Sequence, residues 1–60
     1  MSARLRILVV DDHPILREGL TALIATQADL AVVGEAADGP QALEAYRQLT
    51  PDVVIMDLRL

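Results

Sequence analysis

Apolar residues fall into three short runs, at residues 5–10, 30–33 and 53–56, with two stretches of helical spacing between them. The runs are rich in branched side chains and do not alternate with polar residues, which suits strands covered on both faces, as in a parallel sheet. In the first intervening stretch Leu16, Leu20, Leu23 and Ile24 recur at i, i+4, i+7 and i+8, one apolar stripe of a helix. Pro14 suits the first helical position, where its missing N–H costs nothing, and His13 then stands near the N-cap. Gly19 inside that helix costs about 1 kcal/mol relative to Ala, which predicts a close packing contact at that point. The second helix opens after the turn residues Asp38 and Gly39, with Pro40 at its first position and Ala42, Leu43, Tyr46 and Leu49 as its stripe. Pro51 ends it, because a proline disfavours helical geometry at the residue before it, Thr50.

The order is therefore β-α-β-α-β, and right-handed crossovers between parallel strands put the two helices on opposite faces of the sheet. No repeat, low-complexity tract or linker interrupts the pattern, so one compact unit is expected.

Composition narrows the classes. Sixty residues make one small domain at most, and 53% of them are hydrophobic. A chain this short buries only about 60% of its unfolded surface, so such apolar content suggests part of a larger core. Tyr46 is the lone aromatic, which makes that core aliphatic. The absence of cysteine excludes disulfides and thiolate metal sites. Five arginines against nine carboxylates, with no lysine, offer no basic stripe for nucleic acid. The first apolar run stops at Asp11, so it is neither a signal peptide nor a membrane span. A cytoplasmic chain with no membrane contact is expected.

Chemistry enters through the aspartates. The first strand runs into Asp11 and Asp12, and the third into Asp57. Parallel strands joined by crossover helices end on one edge of the sheet, and in doubly wound sheets whose order begins 2-1-3 the first and third are neighbours. Ligands of such folds bind at that switch point. Three carboxylates distant in sequence would converge there and repel one another unless a cation joined them. Oxygen donors alone suit a hard dication, and Mg²⁺ with retained waters is the natural choice. With charge so screened, a carboxylate can attack phosphorus and become an aspartyl phosphate. Asp57 is the better nucleophile, alone on its strand end after an apolar wall, while Asp11 and Asp12 hold the metal.

Taken singly, each of these residues has a plainer use. An Asp-Asp pair after a strand commonly supplies turn and N-cap oxygens, and Asp57 alone reads as a loop carboxylate. His13 reads as a helix-start residue rather than a ligand. Asp52 belongs to the opposite edge, and Asp29 and Asp38 to turns.

The segments "ILVVDDHPILREGL", "GEAADGPQALE" and "PDVVIMDLRL" together resemble the first half of a response-regulator receiver domain, the CheY-like, flavodoxin-like α/β fold with a doubly wound parallel sheet. The "DDHP…REGL" form, with "DG" before the second helix, is similar to the NarL/FixJ subfamily of two-component transcriptional regulators. By that resemblance Asp57 is the phosphoacceptor, Asp12 binds Mg²⁺ directly, Asp11 acts mainly through water, and the backbone carbonyl of Arg59 is a further ligand. It also implies a sensor histidine kinase as phosphoryl donor and a DNA-binding output domain, with a receiver that is a signalling switch rather than an enzyme. Two more strand–helix repeats and a fifth helix would carry a Ser or Thr, a Lys and a switch aromatic. Residues 1–60 thus read as the N-terminal part of a receiver, with its C-terminal half and the output domain absent and the third strand liable to self-association.

Other classes fit less well. A haloacid-dehalogenase-like phosphatase needs a second acid two residues beyond its nucleophile, where this chain has Arg59. A nucleotide-binding fold needs a Gly-rich loop after the first strand, where this chain places carboxylates. A structural or interaction fragment without phosphotransfer is the remaining alternative.

Overall fold

The computed structural model describes residues 4–57. Strand β1 (Leu5–Asp11) is followed by helix α1 (Pro14–Ala25), strand β2 (Leu30–Ala36), helix α2 (Gly39–Leu49) and strand β3 (Val53–Asp57). The strands form one sheet in the order β2-β1-β3, and both pairings are parallel. The central position of β1 explains its unbroken apolar run, since Ile7, Leu8, Val9 and Val10 are all buried.

Alternation along β1 divides the core in two. Ile7 and Val9 face α1 and pack with Ile24, Leu20, Val32 and Ile55, while Leu8 and Val10 face α2 and pack with Ala36, Ala42 and Ala45. The helices therefore cover opposite faces. Each fully buried Val or Leu contributes roughly 1.5–3 kcal/mol relative to leaving it in water, so most of the hydrophobic stabilisation sits on this strand.

Helix stripes are only half used. Leu20 and Ile24 of α1 reach the core, whereas Leu23 is 65% exposed. On α2, Ala42 is buried, but Leu43 and Tyr46 stay half exposed. With Leu8, Val54 and Met56 these two residues line an apolar groove of about 280 Å³ between α2 and β3.

The expected contact at Gly19 is absent: a Cβ there would meet nothing within 4 Å. Gly34 holds the close approach instead. A Cβ on it would lie 2.5 Å from Leu49 Cδ1, so a glycine lets the last turn of α2 lie against β2. Strand β2 also runs three residues beyond its apolar run, because a register shift between Ile7 and Leu8 passes over Val33 and pairing resumes at Gly34.

Local chemistry sets the element ends. Asp38 caps α2, its Oδ1 accepting the Gln41 N–H at 2.8 Å, and Gln41 Oε1 accepts the Ala37 N–H at 3.0 Å. Gly39 is the first helical residue and Pro40 the second, so the helix begins one residue earlier than the turn signals suggest. Thr50, denied helical geometry by Pro51, takes the left-handed conformation (φ 43°) and donates its N–H to Tyr46 O. Asp52 ties the amino edge of the sheet together. Its Oδ2 accepts the Arg6 N–H and its own N–H donates to Arg6 O, both at 2.8 Å.

Candidate functional site

At the carboxyl edge of the sheet, Asp11 of β1 and Asp57 of β3 are partners in the parallel register. Residues so paired point to the same side, and by alternation that is the side of Ile7, Val9 and Ile55, covered by α1. Two aspartates 46 positions apart in sequence thus become neighbours on adjacent strands, as the strand order 2-1-3 requires.

Asp11 is fully buried. Its Oδ1 accepts the His13 backbone N–H at 2.7 Å, an Asx turn that bends the chain from strand to helix. Its Oδ2 is buried as well and finds no hydrogen-bond partner among the described residues. Asp12 projects outward, with its side chain 43% exposed. His13 is the N-cap of α1, yet its side chain makes no capping bond. The imidazole turns back instead, placing Nδ1 2.8 Å from Asp12 Oδ1 and 3.5 Å from Asp11 Oδ1. One ligand atom from each of Asp11, Asp12 and His13 lies within 4.8 Å of the others.

The nearby cation does not neutralise this group. Arg17, one turn into α1, gives Nη1 to the backbone oxygen of Asp11 at 2.8 Å and Nε to Glu35 Oε1 at 3.2 Å. It joins the ends of β1 and β2 to α1 and leaves the carboxylates of Asp11 and Asp12 to other partners. A buried carboxylate oxygen without a donor, beside a second carboxylate, is a donor set that fits a hard dication. The residues present therefore fit the Mg²⁺ that the sequence implies.

The site gathers the expected Asp11 and Asp12 and sets Asp57 alongside, although the carboxylate of Asp57 is outside the 4.8 Å group. The backbone carbonyl of Arg59 lies outside the described residues. Two residues escape sequence reasoning. His13 looks like a helix-start residue and is one, but its ring faces the acids. Arg17 stands in the "REGL" segment, but nothing in that segment tells that its guanidinium reaches back to the Asp11 backbone oxygen and across to Glu35.

Comparison with known proteins identifies the family. The family model described as the response regulator receiver domain matches residues 7–60. The chain belongs to the receiver family. Among curated relatives it is 44% identical over 54 residues to the transcriptional regulatory protein LiaR of Bacillus subtilis, and 46% identical over 54 residues to the nitrate/nitrite response regulator NarL of Escherichia coli. Each match takes in 90% of this chain but only about a quarter of the relative (26% and 25%). Among solved structures, a LuxR-family two-component response regulator from Aurantimonas superposes with a TM-score of 0.89 at 53% identity, over 97% of this chain and 41% of that one. The response regulator domain of Thermotoga maritima CheB gives 0.90 at 44% identity, over 95% of this chain and 42% of that one. This receiver is thus of the kind found in NarL- and LuxR-type response regulators, with three parallel strands in the CheY-like order. No helix among the described residues is long and apolar enough to cross a membrane.

Proposed function

We propose that this receiver takes a phosphoryl group onto Asp57 from a phosphohistidine of a sensor histidine kinase, and thereby controls transcription in the full-length protein. The observation that carries the reading is the register pair Asp11–Asp57, which sets a nucleophile candidate beside an acid cluster at the carboxyl edge of the sheet.

Chemically, an Asp57 oxygen attacks phosphorus while the P–N bond to the kinase imidazole breaks. That nitrogen leaves with the bonding electron pair and takes up a proton, and an acyl phosphate remains on Asp57. When bound, Mg²⁺ supplies the positive charge that offsets the carboxylates and the phosphoryl oxygens. Asp12, the exposed member of the pair, is the direct ligand together with Asp57 and the Arg59 carbonyl. Toward Mg²⁺, Asp11 acts mainly through water, behind the exposed Asp12. Arg17 fixes the turn that presents both acids.

This chemistry calls for a histidine kinase as partner; the likeness to NarL-type regulators adds DNA, through an output domain, and the receiver itself is a surface for self-association. The receiver acts as a switch in the cytoplasm, promoting its own phosphorylation without turning over a separate substrate.

The test is labelling of the full-length protein by acetyl phosphate or a phosphorylated kinase. Asp57→Asn keeps the side-chain shape, removes the nucleophile, and should abolish the hydroxylamine-sensitive label. Label surviving at full level would assign the acceptor elsewhere.

A further inference from the structure

The side chain of His13 has no role in the chemistry above, yet it is aimed at it. As N-cap it could have bonded the first turn of α1, and it does not. Its Nδ1 instead lies 2.8 Å from Asp12 Oδ1 and 3.5 Å from Asp11 Oδ1. Two donors on one small dication, each about 2.1 Å from it, are about 3.0 Å apart at an octahedral angle and about 3.4 Å apart at a tetrahedral one. The two spacings at His13 bracket those values, so the imidazole stands at the right distance from either acid to share one ion with it. The buried, unpartnered Oδ2 of Asp11 is an independent sign that a positive group belongs here.

We infer that His13 is a third donor at this site, through Nδ1, and that with it the site takes a borderline first-row dication such as Zn²⁺ or Co²⁺ more tightly than Mg²⁺. The inference rests on reading the acid cluster as a metal site. The physical basis is donor chemistry. Carboxylate and water oxygens serve Mg²⁺ well and hold it loosely, whereas imidazole nitrogen suits Zn²⁺ and its neighbours. Asp11, Asp12 and His13 would give two oxygens and one nitrogen, matching catalytic Zn²⁺ sites in the number of protein ligands and the open position, though richer in oxygen. Asp57, beside the group but outside it, remains available to fill that position or to react. Metal identity would then set the fraction of receivers with a free acceptor carboxylate.

The geometry also makes the perturbation clean. Because the His13 side chain bonds nothing in α1 and its ring is half exposed, His13→Ala leaves the helix start and the core untouched. The experiment is calorimetric titration of the full-length protein and its His13→Ala variant with ZnCl₂, CoCl₂ and MgCl₂ separately. Zn²⁺ and Co²⁺ should bind at least tenfold more weakly to the variant, while Mg²⁺ affinity should change by less than about threefold. In the unsubstituted protein, Zn²⁺ should move the ¹⁵N resonance of His13 Nδ1 far more than that of Nε2. Equal Zn²⁺ and Co²⁺ affinities in the two proteins, or a ring that shows no Nδ1 shift, would overturn the inference. Absence of Mg²⁺ binding from both proteins would instead overturn the Mg²⁺ role proposed above. A His13-dependent Zn²⁺ site in that case would still uphold the inference.

Discussion

Replacing Arg17 by Met keeps the aliphatic stem and removes the guanidinium, which makes two distinct contacts. The bond from Nη1 to the Asp11 backbone oxygen is short (2.8 Å) and part-buried. Hydrogen bonds from charged donors contribute about 1.5–3 kcal/mol, and with the Arg17 side chain 21% exposed the lower half of that range applies. The pair with Glu35 is longer, at 3.2 Å, and Glu35 is 42% exposed. Solvent screening reduces such a pair to about 0.3–1 kcal/mol. Arg17→Met should therefore destabilise the full-length receiver by about 2 kcal/mol, Glu35→Gln by no more than about 1 kcal/mol, and the double variant should reveal a coupling below about 1 kcal/mol. Urea denaturation of the four proteins measures all three quantities. Amide exchange adds a local readout. The His13 N–H, held by Asp11 Oδ1, should exchange faster in Arg17→Met and not in Glu35→Gln. A coupling as large as the whole cost of Arg17→Met, with exchange at His13 unchanged, would refute the clamp on the β1–α1 turn.

Other outcomes follow from single contacts. Asp38→Ala removes the side-chain cap of α2 and should cost about 0.5–2 kcal/mol, measured as a lower urea midpoint at unchanged slope. Thr50→Gly relieves a β-branched residue at φ 43°. It should raise stability by up to about 1 kcal/mol, the strain released exceeding the added entropy of the unfolded glycine; a lower denaturation midpoint would contradict this. Asp12→Ala should weaken Mg²⁺ binding more than Asp11→Ala does, as read by titration. Equal losses would sink the division into direct and water-mediated ligands.

Much of this architecture can be read directly from the residues. The apolar runs at residues 5–10, 30–33 and 53–56 mark the strands, although only β1 is buried over most of its length and β3 keeps Val53, Val54 and Met56 exposed, and the aspartates that end two of them mark the carboxyl edge of the sheet. What pattern cannot supply is which side of a half-apolar helix meets the sheet. Leu23 belongs to the same stripe as Ile24, yet only Ile24 is buried. Glycines are similarly ambiguous. Gly19 and Gly34 both interrupt regular elements, and only the packing of Leu49 shows that Gly34 is the one in contact. Rotamers are the last gap. The sequence puts His13 beside two acids, but whether its ring caps a helix or faces the carboxylates depends on a side-chain torsion. Arg17 was equally hidden, since its partners are a backbone oxygen six residues back and a glutamate on another strand.

The central claim is that Asp57 carries the phosphoryl group. Borohydride reduces an acyl phosphate to the alcohol, turning a phosphorylated aspartate into homoserine, and mass spectrometry then locates the altered residue. After treatment of the full-length protein with acetyl phosphate and Mg²⁺, the account predicts homoserine at position 57, with Asp11 and Asp12 unmodified. Homoserine at position 11 or 12, or an unmodified Asp57 in protein that has taken up phosphate, would contradict it.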